Sequence, residues 1–88
     1  MQSKQFKIVN KLGLHARAAA QLVQTANRFK ADVTVEKDEL EVNGKSIMGL
    51  LMLAAPQGSS VQVTVAGEDA DAALETIGKL INDGFGED

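Results

Sequence analysis

The sequence predicts an α+β fold: a two-layer sandwich whose four-stranded antiparallel sheet is covered by three helices, in the order β-α-β-β-α-β-α. Three observations carry this. Four short segments alternate apolar and polar residues with period two, the pattern of strands with one buried face. Two longer segments repeat their apolar residues at helical spacing. A third apolar run, short and continuous, lies between the strands. One face of an antiparallel sheet must be covered, and the two longer helices can cover it.

The elements follow in order. Phe6 and Ile8 alternate with Gln5 and Lys7, a first strand that Asn10-Lys11-Leu12-Gly13 interrupts. From Ala16 to Phe29, the residues Ala19, Leu22, Val23, Ala26 and Phe29 share one helical face, and the alanines at 18–20 favour a helix with close neighbours. Val33 and Val35, then Leu40 and Val42, give two strands joined by a turn at Lys37-Asp38, and Asn43-Gly44 is a further turn pair. Ile47 to Leu53 reads as one or two helical turns with Ser46 as N-cap. Pro56-Gln57-Gly58-Ser59 turns the chain into a fourth strand marked by Val61, Val63 and Val65, which Gly67 ends. Asp69 and Asp71 stand where acids favour a helix start, Leu74, Ile77 and Ile81 mark that helix's buried face, and Asp83-Gly84 stops it.

Composition narrows the function. The chain has 88 residues, enough for one domain over residues 1–88, with an ordinary 44% apolar and 24% charged content. It lacks an apolar run long enough to cross a membrane. With only Phe6, Phe29 and Phe85 as aromatics, the core is expected to consist of Val, Leu, Ile, Met and Ala. A net charge of −3 and so few aromatics argue against nucleic acid as a partner. The absence of cysteine excludes disulfides and zinc–thiolate sites. The polar stretch from Met1 to Phe6 is unlike a signal peptide, so a cytoplasmic protein is expected. Lys37-Asp38-Glu39-Leu40 spells a retention signal that acts only at a C-terminus, and is read as chance. The acidic end, Asp83 to Asp88, is read as solvated, and Glu75 with Lys79 as a mild surface pair.

The chain has a single histidine, in Gly13-Leu14-His15-Ala16-Arg17. Gly13 allows a tight bend, and a helix begins just after His15. The first N–H groups of that helix have no intrahelical partner and can face an anion beside the ring. Arg17 adds a permanent charge and a planar donor fork suited to phosphate oxygens. The pieces suit an imidazole that accepts a phosphoryl group and passes it on. A capping histidine without chemistry would show the same spacing. No metal is expected, because no second histidine or cysteine could join it.

Gly13-Leu14-His15-Ala16-Arg17-Ala18-Ala19 resembles the active-site signature of the HPr family, histidine-containing phosphocarriers of the phosphoenolpyruvate-dependent sugar phosphotransferase system. A second signature, Lys45-Ser46-Ile47-Met48-Gly49-Leu50, and the element order extend the resemblance over essentially the whole chain. The resemblance implies an open-faced sandwich. It implies that His15 is phosphorylated on Nδ1 by enzyme I, and that Arg17 stabilises the phosphoryl group and helps pass it to enzyme IIA domains. No cofactor is implied. The family usually has proline where this chain has Ala18. Proline there pre-sets the first turn, and alanine adds a free donor; carrier function is expected to survive.

Ser46 is an ordinary N-cap by spacing, and the resemblance implies regulatory phosphorylation by HPr kinase/phosphorylase. The roles are compatible, since a helix N-terminus tolerates a phosphate. Ile47, Met48, Leu51 and Met52 exceed what one short helix can bury. With Ala16, Ala20 and Gln24 on the first helix, Ile47, Met48 and Leu51 are expected to form a docking surface beside His15, where methionine suits several partners. The resemblance assigns that surface to enzyme I and enzyme IIA.

A regulatory relative read by a transcriptional regulator would carry the same residues, and a small ligand-binding module would take no phosphoryl group. An independent enzyme is disfavoured, because no acid or base visibly pairs with His15. A monomer is expected.

Overall fold

A computed structural model describes residues 1–87. Its strands are β1 (Gln2–Lys7), β2 (Asp32–Lys37), β3 (Leu40–Asn43) and β4 (Ser60–Ala66), and its α-helices are α1 (Ala16–Ala26), α2 (Ile47–Met52) and α3 (Ala70–Asn82). All pairings are antiparallel, in the sheet order β1-β4-β2-β3. The last strand in sequence therefore lies between the first two, and the sheet closes only when β4 arrives. This is the open-faced α+β sandwich expected from the sequence.

The alternation holds where it decides burial. Val61, Val63 and Val65 point into the core with Phe6, Val33 and Val35, while Gln5, Gln62, Thr64, Thr34 and Glu36 occupy the uncovered face. On that face the Ser3 and Thr64 hydroxyls meet at 3.0 Å and Gln62 Nε2 donates to Ser3 Oγ at 2.6 Å. Leu22, Leu50, Ile77 and Ile81 cover the other face. α3 packs on β1 and β4, and α1 packs on both α2 and α3. None of the described helices is long and apolar enough to cross a membrane.

Several boundaries differ from the sequence reading. β1 starts at Gln2 and ends before Ile8, although Ile8 stays buried and bonds to the 58–59 backbone. α1 stops at Ala26 because the Arg28 and Phe29 amides bond three residues back, to Thr25 and Ala26, tightening the chain out of the helix. The β2–β3 turn sits at Asp38 and Glu39, one residue later than expected. Both have positive φ (51° and 70°), as a two-residue turn between Lys37 and Leu40 with matching twist requires.

Three expectations are corrected. The core holds Phe6 and Phe85 but no methionine, since Met1, Met48 and Met52 are all exposed. Glu75 and Lys79 do not pair within 4.0 Å; among the described residues Lys37 pairs with Asp38, and Glu87 meets His15 in a contact that is an ion pair only when the ring is protonated. The acidic end is solvated only in part: Asp83 is exposed as expected, Glu87 is not, and Asp88 lies outside the described residues. Gly84 (φ +66°) ends α3 and starts a 3₁₀ turn, Gly84–Gly86, that buries Phe85. Burying that ring draws residues 83–87 back along the fold, and Glu87 comes to rest half-buried. Asp69 stands at the N-cap position of α3 without capping it. Its carboxylate instead accepts the Lys30 and Ala31 amides at 2.9 and 2.8 Å, joining the loop before β2 to the start of α3.

Candidate functional site

The site is assembled by the loop between β1 and α1. Gly13 takes φ +69°, and a Cβ there would lie 2.5 Å from the Ala55 carbonyl oxygen, so glycine alone fits without displacing backbone. The close approach lets the Leu14 amide donate to that oxygen at 2.8 Å, which ties the loop to the end of α2. Leu14 is buried, and the following residue, His15, takes an extended conformation as N-cap of α1.

His15 makes no side-chain cap. The Ala19 amide bonds the His15 carbonyl at 2.8 Å, so the N–H groups of Ala16, Arg17 and Ala18 precede the first intrahelical bond. Ala16 and Arg17 are exposed and Ala18 is fully buried. Among the described residues the Arg17 guanidinium has no hydrogen bond or ion pair within 4.0 Å, yet its charge acts on Glu87.

The histidine side chain is 27% exposed and its Nε2 is hydrogen-bonded to Oε2 of Glu87, whose side chain is 15% exposed. Nδ1 has no partner among the described residues. Glu87 Oε1 accepts from Asn10 Nδ2 at 3.2 Å, and the same nitrogen donates to the Gly13 carbonyl at 2.7 Å. Asn10 is 5% exposed, and its Oδ1 is a buried oxygen without a partner. The hydrogen bond from His15 is the main force holding the Glu87 carboxyl below its ordinary value. The Asn10 bond and the charges of His15 and Arg17 add to it, and partial desolvation opposes it.

An acid therefore does pair with the histidine, contrary to the sequence reading. Glu87 and Asn10 were both missed, because 77 residues separate them and the charges at 83–88 read as solvent-facing. One signal was present: Phe85 between two glycines, an aromatic with room to turn inward.

Ser46 is the N-cap of α2, its Oγ accepting the Gly49 amide at 3.1 Å, and it is half-buried. Along α1, Gln24 is exposed and Ala20 half-buried; along α2, Ile47 and Met48 are exposed and Leu51 half-buried. Positions 17, 20 and 24 share one face of α1, as 47, 48 and 51 do on α2. Because α1 and α2 pack together, these residues lie on adjoining helices. Leu50 and Leu53 are buried as expected.

Comparison with known proteins agrees with this geometry. The family described as "PTS HPr component phosphorylation site" matches residues 2–83. The phosphocarrier protein HPr of Neisseria meningitidis serogroup A is 48% identical over 87 residues, covering 99% of this chain and 98% of that protein. A crystal structure of HPr from Thermoanaerobacter tengcongensis superposes with a TM-score of 0.96 at 44% identity, covering 100% of this chain and 99% of that one. An HPr dimer from the same organism gives 0.79 at 45% identity, covering 99% and 100%. A match across nearly the whole chain, in both sequence and fold, means that this chain belongs to the HPr family, the phosphocarriers of the phosphotransferase system.

Proposed function

We propose that residues 1–88 act as a single phosphocarrier domain that accepts a phosphoryl group from enzyme I on His15 and passes it to enzyme IIA domains for sugar uptake. The observation that carries this reading is the partly exposed His15 ring at the start of α1, beside Arg17 and the first-turn amides that precede the helix's first internal hydrogen bond. A phosphoryl group on the ring gains from the helix end and from the guanidinium. The chain acts as substrate of its partner enzymes rather than as a catalyst.

Ala16, Ala20, Gln24, Ile47, Met48 and Leu51 form the docking surface. Ser46 is the regulatory target of an HPr kinase/phosphorylase, and a dianion at that cap disfavours an acidic partner without unfolding α2. The phosphorylated form is read by a transcriptional regulator. The protein works in the cytoplasm as a monomer, which leaves the docking face free; sedimentation as a dimer would overturn that part.

The deciding experiment is intact mass after incubation with enzyme I and phosphoenolpyruvate, repeated after brief acid treatment. One acid-labile phosphoryl group, absent from His15→Ala, is expected; no modification by a competent enzyme I refutes the carrier reading. With the kinase and ATP, an acid-stable phosphate absent from Ser46→Ala is expected, and undiminished labelling of that variant removes Ser46 from the account.

A further inference from the structure

We propose that Met48 and Met52 are a reversible oxidation site, and that their conversion to sulfoxides by hydrogen peroxide weakens the docking of enzyme I; the proposal rests on the carrier reading of His15. All three methionines of the chain lie outside the core. Met1 precedes β1, whereas Met48 and Met52 both stand on α2, 70% and 66% exposed. Being one turn apart, they share a face of that helix, with Cβ atoms about 5–6 Å from each other. Ile47, also exposed, widens the apolar surface beside them. The buried Leu50 and the Ser46 cap hold α2 in place, so the fold does not depend on either thioether. The chain has no cysteine, so no thiol competes with them for the oxidant.

In the oxidation the thioether sulfur attacks one oxygen of the peroxide. An S–O bond forms as the O–O bond breaks, and the second oxygen leaves as water with both peroxide protons. Sulfur loses two electrons and the peroxide gains them. Reversal takes two thiols through a methionine sulfoxide reductase: the thiols become a disulfide, and the oxygen leaves as water. The oxidised side chain is no longer apolar and adaptable. Its sulfoxide oxygen is a strong acceptor that is costly to dehydrate against an apolar partner surface, which offers it no donor. Met48 belongs to the docking surface and Met52 adjoins it by one helical turn, while His15 and Arg17 keep their chemistry. The loss therefore falls on KM and not on the transfer step.

The test treats the wild-type chain and a Met48→Leu/Met52→Leu variant with hydrogen peroxide, destroys the oxidant with catalase, and compares each protein with its untreated self. Intact mass is expected to show three added oxygen atoms in the wild type and one, at Met1, in the variant. In phosphoryl acceptance from phosphorylated enzyme I, oxidation is expected to raise the KM of the wild type about tenfold with kcat little changed, and to leave that of the variant unaltered. Methionine sulfoxide reductases for both epimers, with dithiothreitol, are expected to restore mass and KM together. The urea midpoint is expected to stay unchanged throughout. An equal rise of KM in the variant overturns the proposal, as does a lowered urea midpoint or a failure of Met48 and Met52 to take up oxygen. An untreated wild type that accepts no phosphoryl group overturns the carrier reading and this proposal with it, whereas ordinary acceptance that oxidation leaves unaltered overturns the role of the methionine pair alone.

Discussion

Glu87 reaches back across 72 residues of sequence to hydrogen-bond Nε2 of His15. Because that bond favours the ionised carboxyl, the Glu87 titration lies below its ordinary value of 4.5. A carboxyl depressed in the folded state adds stability above its unfolded value, and that stability is lost as pH falls through the folded value. The stability difference between wild type and Glu87→Gln is therefore expected to be full at neutral pH and to vanish in acid. Urea unfolding at successive pH values checks this, with the Glu87 carboxyl midpoint read by ¹³C NMR; a midpoint above 4.5 contradicts it.

Gly13→Ala places a methyl group 2.5 Å from the Ala55 oxygen on a backbone at φ +69°. The loop has to shift, and with it the Leu14 amide bond and the N-cap at His15. A loss of about 1–3 kcal/mol is expected, together with slower phosphoryl acceptance. Wild-type stability and rate in this variant would exclude a role for the bend.

Ser46→Ala removes the only side-chain cap on the helices of the described residues, the Oγ bond to the Gly49 amide. Stability is expected to fall by about 1 kcal/mol even where no kinase is present. Denaturant unfolding with an unchanged slope reads this directly.

Gly78 lets α3 approach Phe6 closely: a Cβ there would stand 2.6 Å from the ring. Alanine improves helix propensity by about 1 kcal/mol, but overpacking a filled core costs about 1–3 kcal/mol. A net loss is expected for Gly78→Ala, and a stabilised variant would show that the Phe6 ring can move aside.

Met48 is 70% exposed on α2. Met48→Asp is expected to change stability by no more than about 0.5 kcal/mol. If Met48 belongs to the docking surface, KM for enzyme I rises about tenfold, as loss of one central interface side chain does. Unchanged transfer kinetics would remove Met48 from that surface.

Short-range pattern settled much of this protein in the sequence itself. Val61, Val63 and Val65 alternate because a pleated strand alternates, so β4 and its buried face were legible from the residues. Ser46 before a continuous apolar run announced a capped helix, and Gly13-Leu14-His15 announced a bend and a helix start. These features depend on neighbours within a few residues, and local sterics and hydrogen bonding are enough to specify them.

Contacts between distant residues were decided only by the tertiary structure. The place of β4 between β1 and β2, the bonds from Lys30 and Ala31 to Asp69, and the exclusion of every methionine from the core depend on which surfaces meet. The pairing of Glu87 with His15 is the sharpest case. The charges at 83–88 look solvated in sequence, yet burial of Phe85 after the left-handed Gly84 brings Glu87 back and sets its carboxylate against the histidine. Charge pattern records a residue's cost of burial, and only the packed fold supplies the partner that offsets that cost.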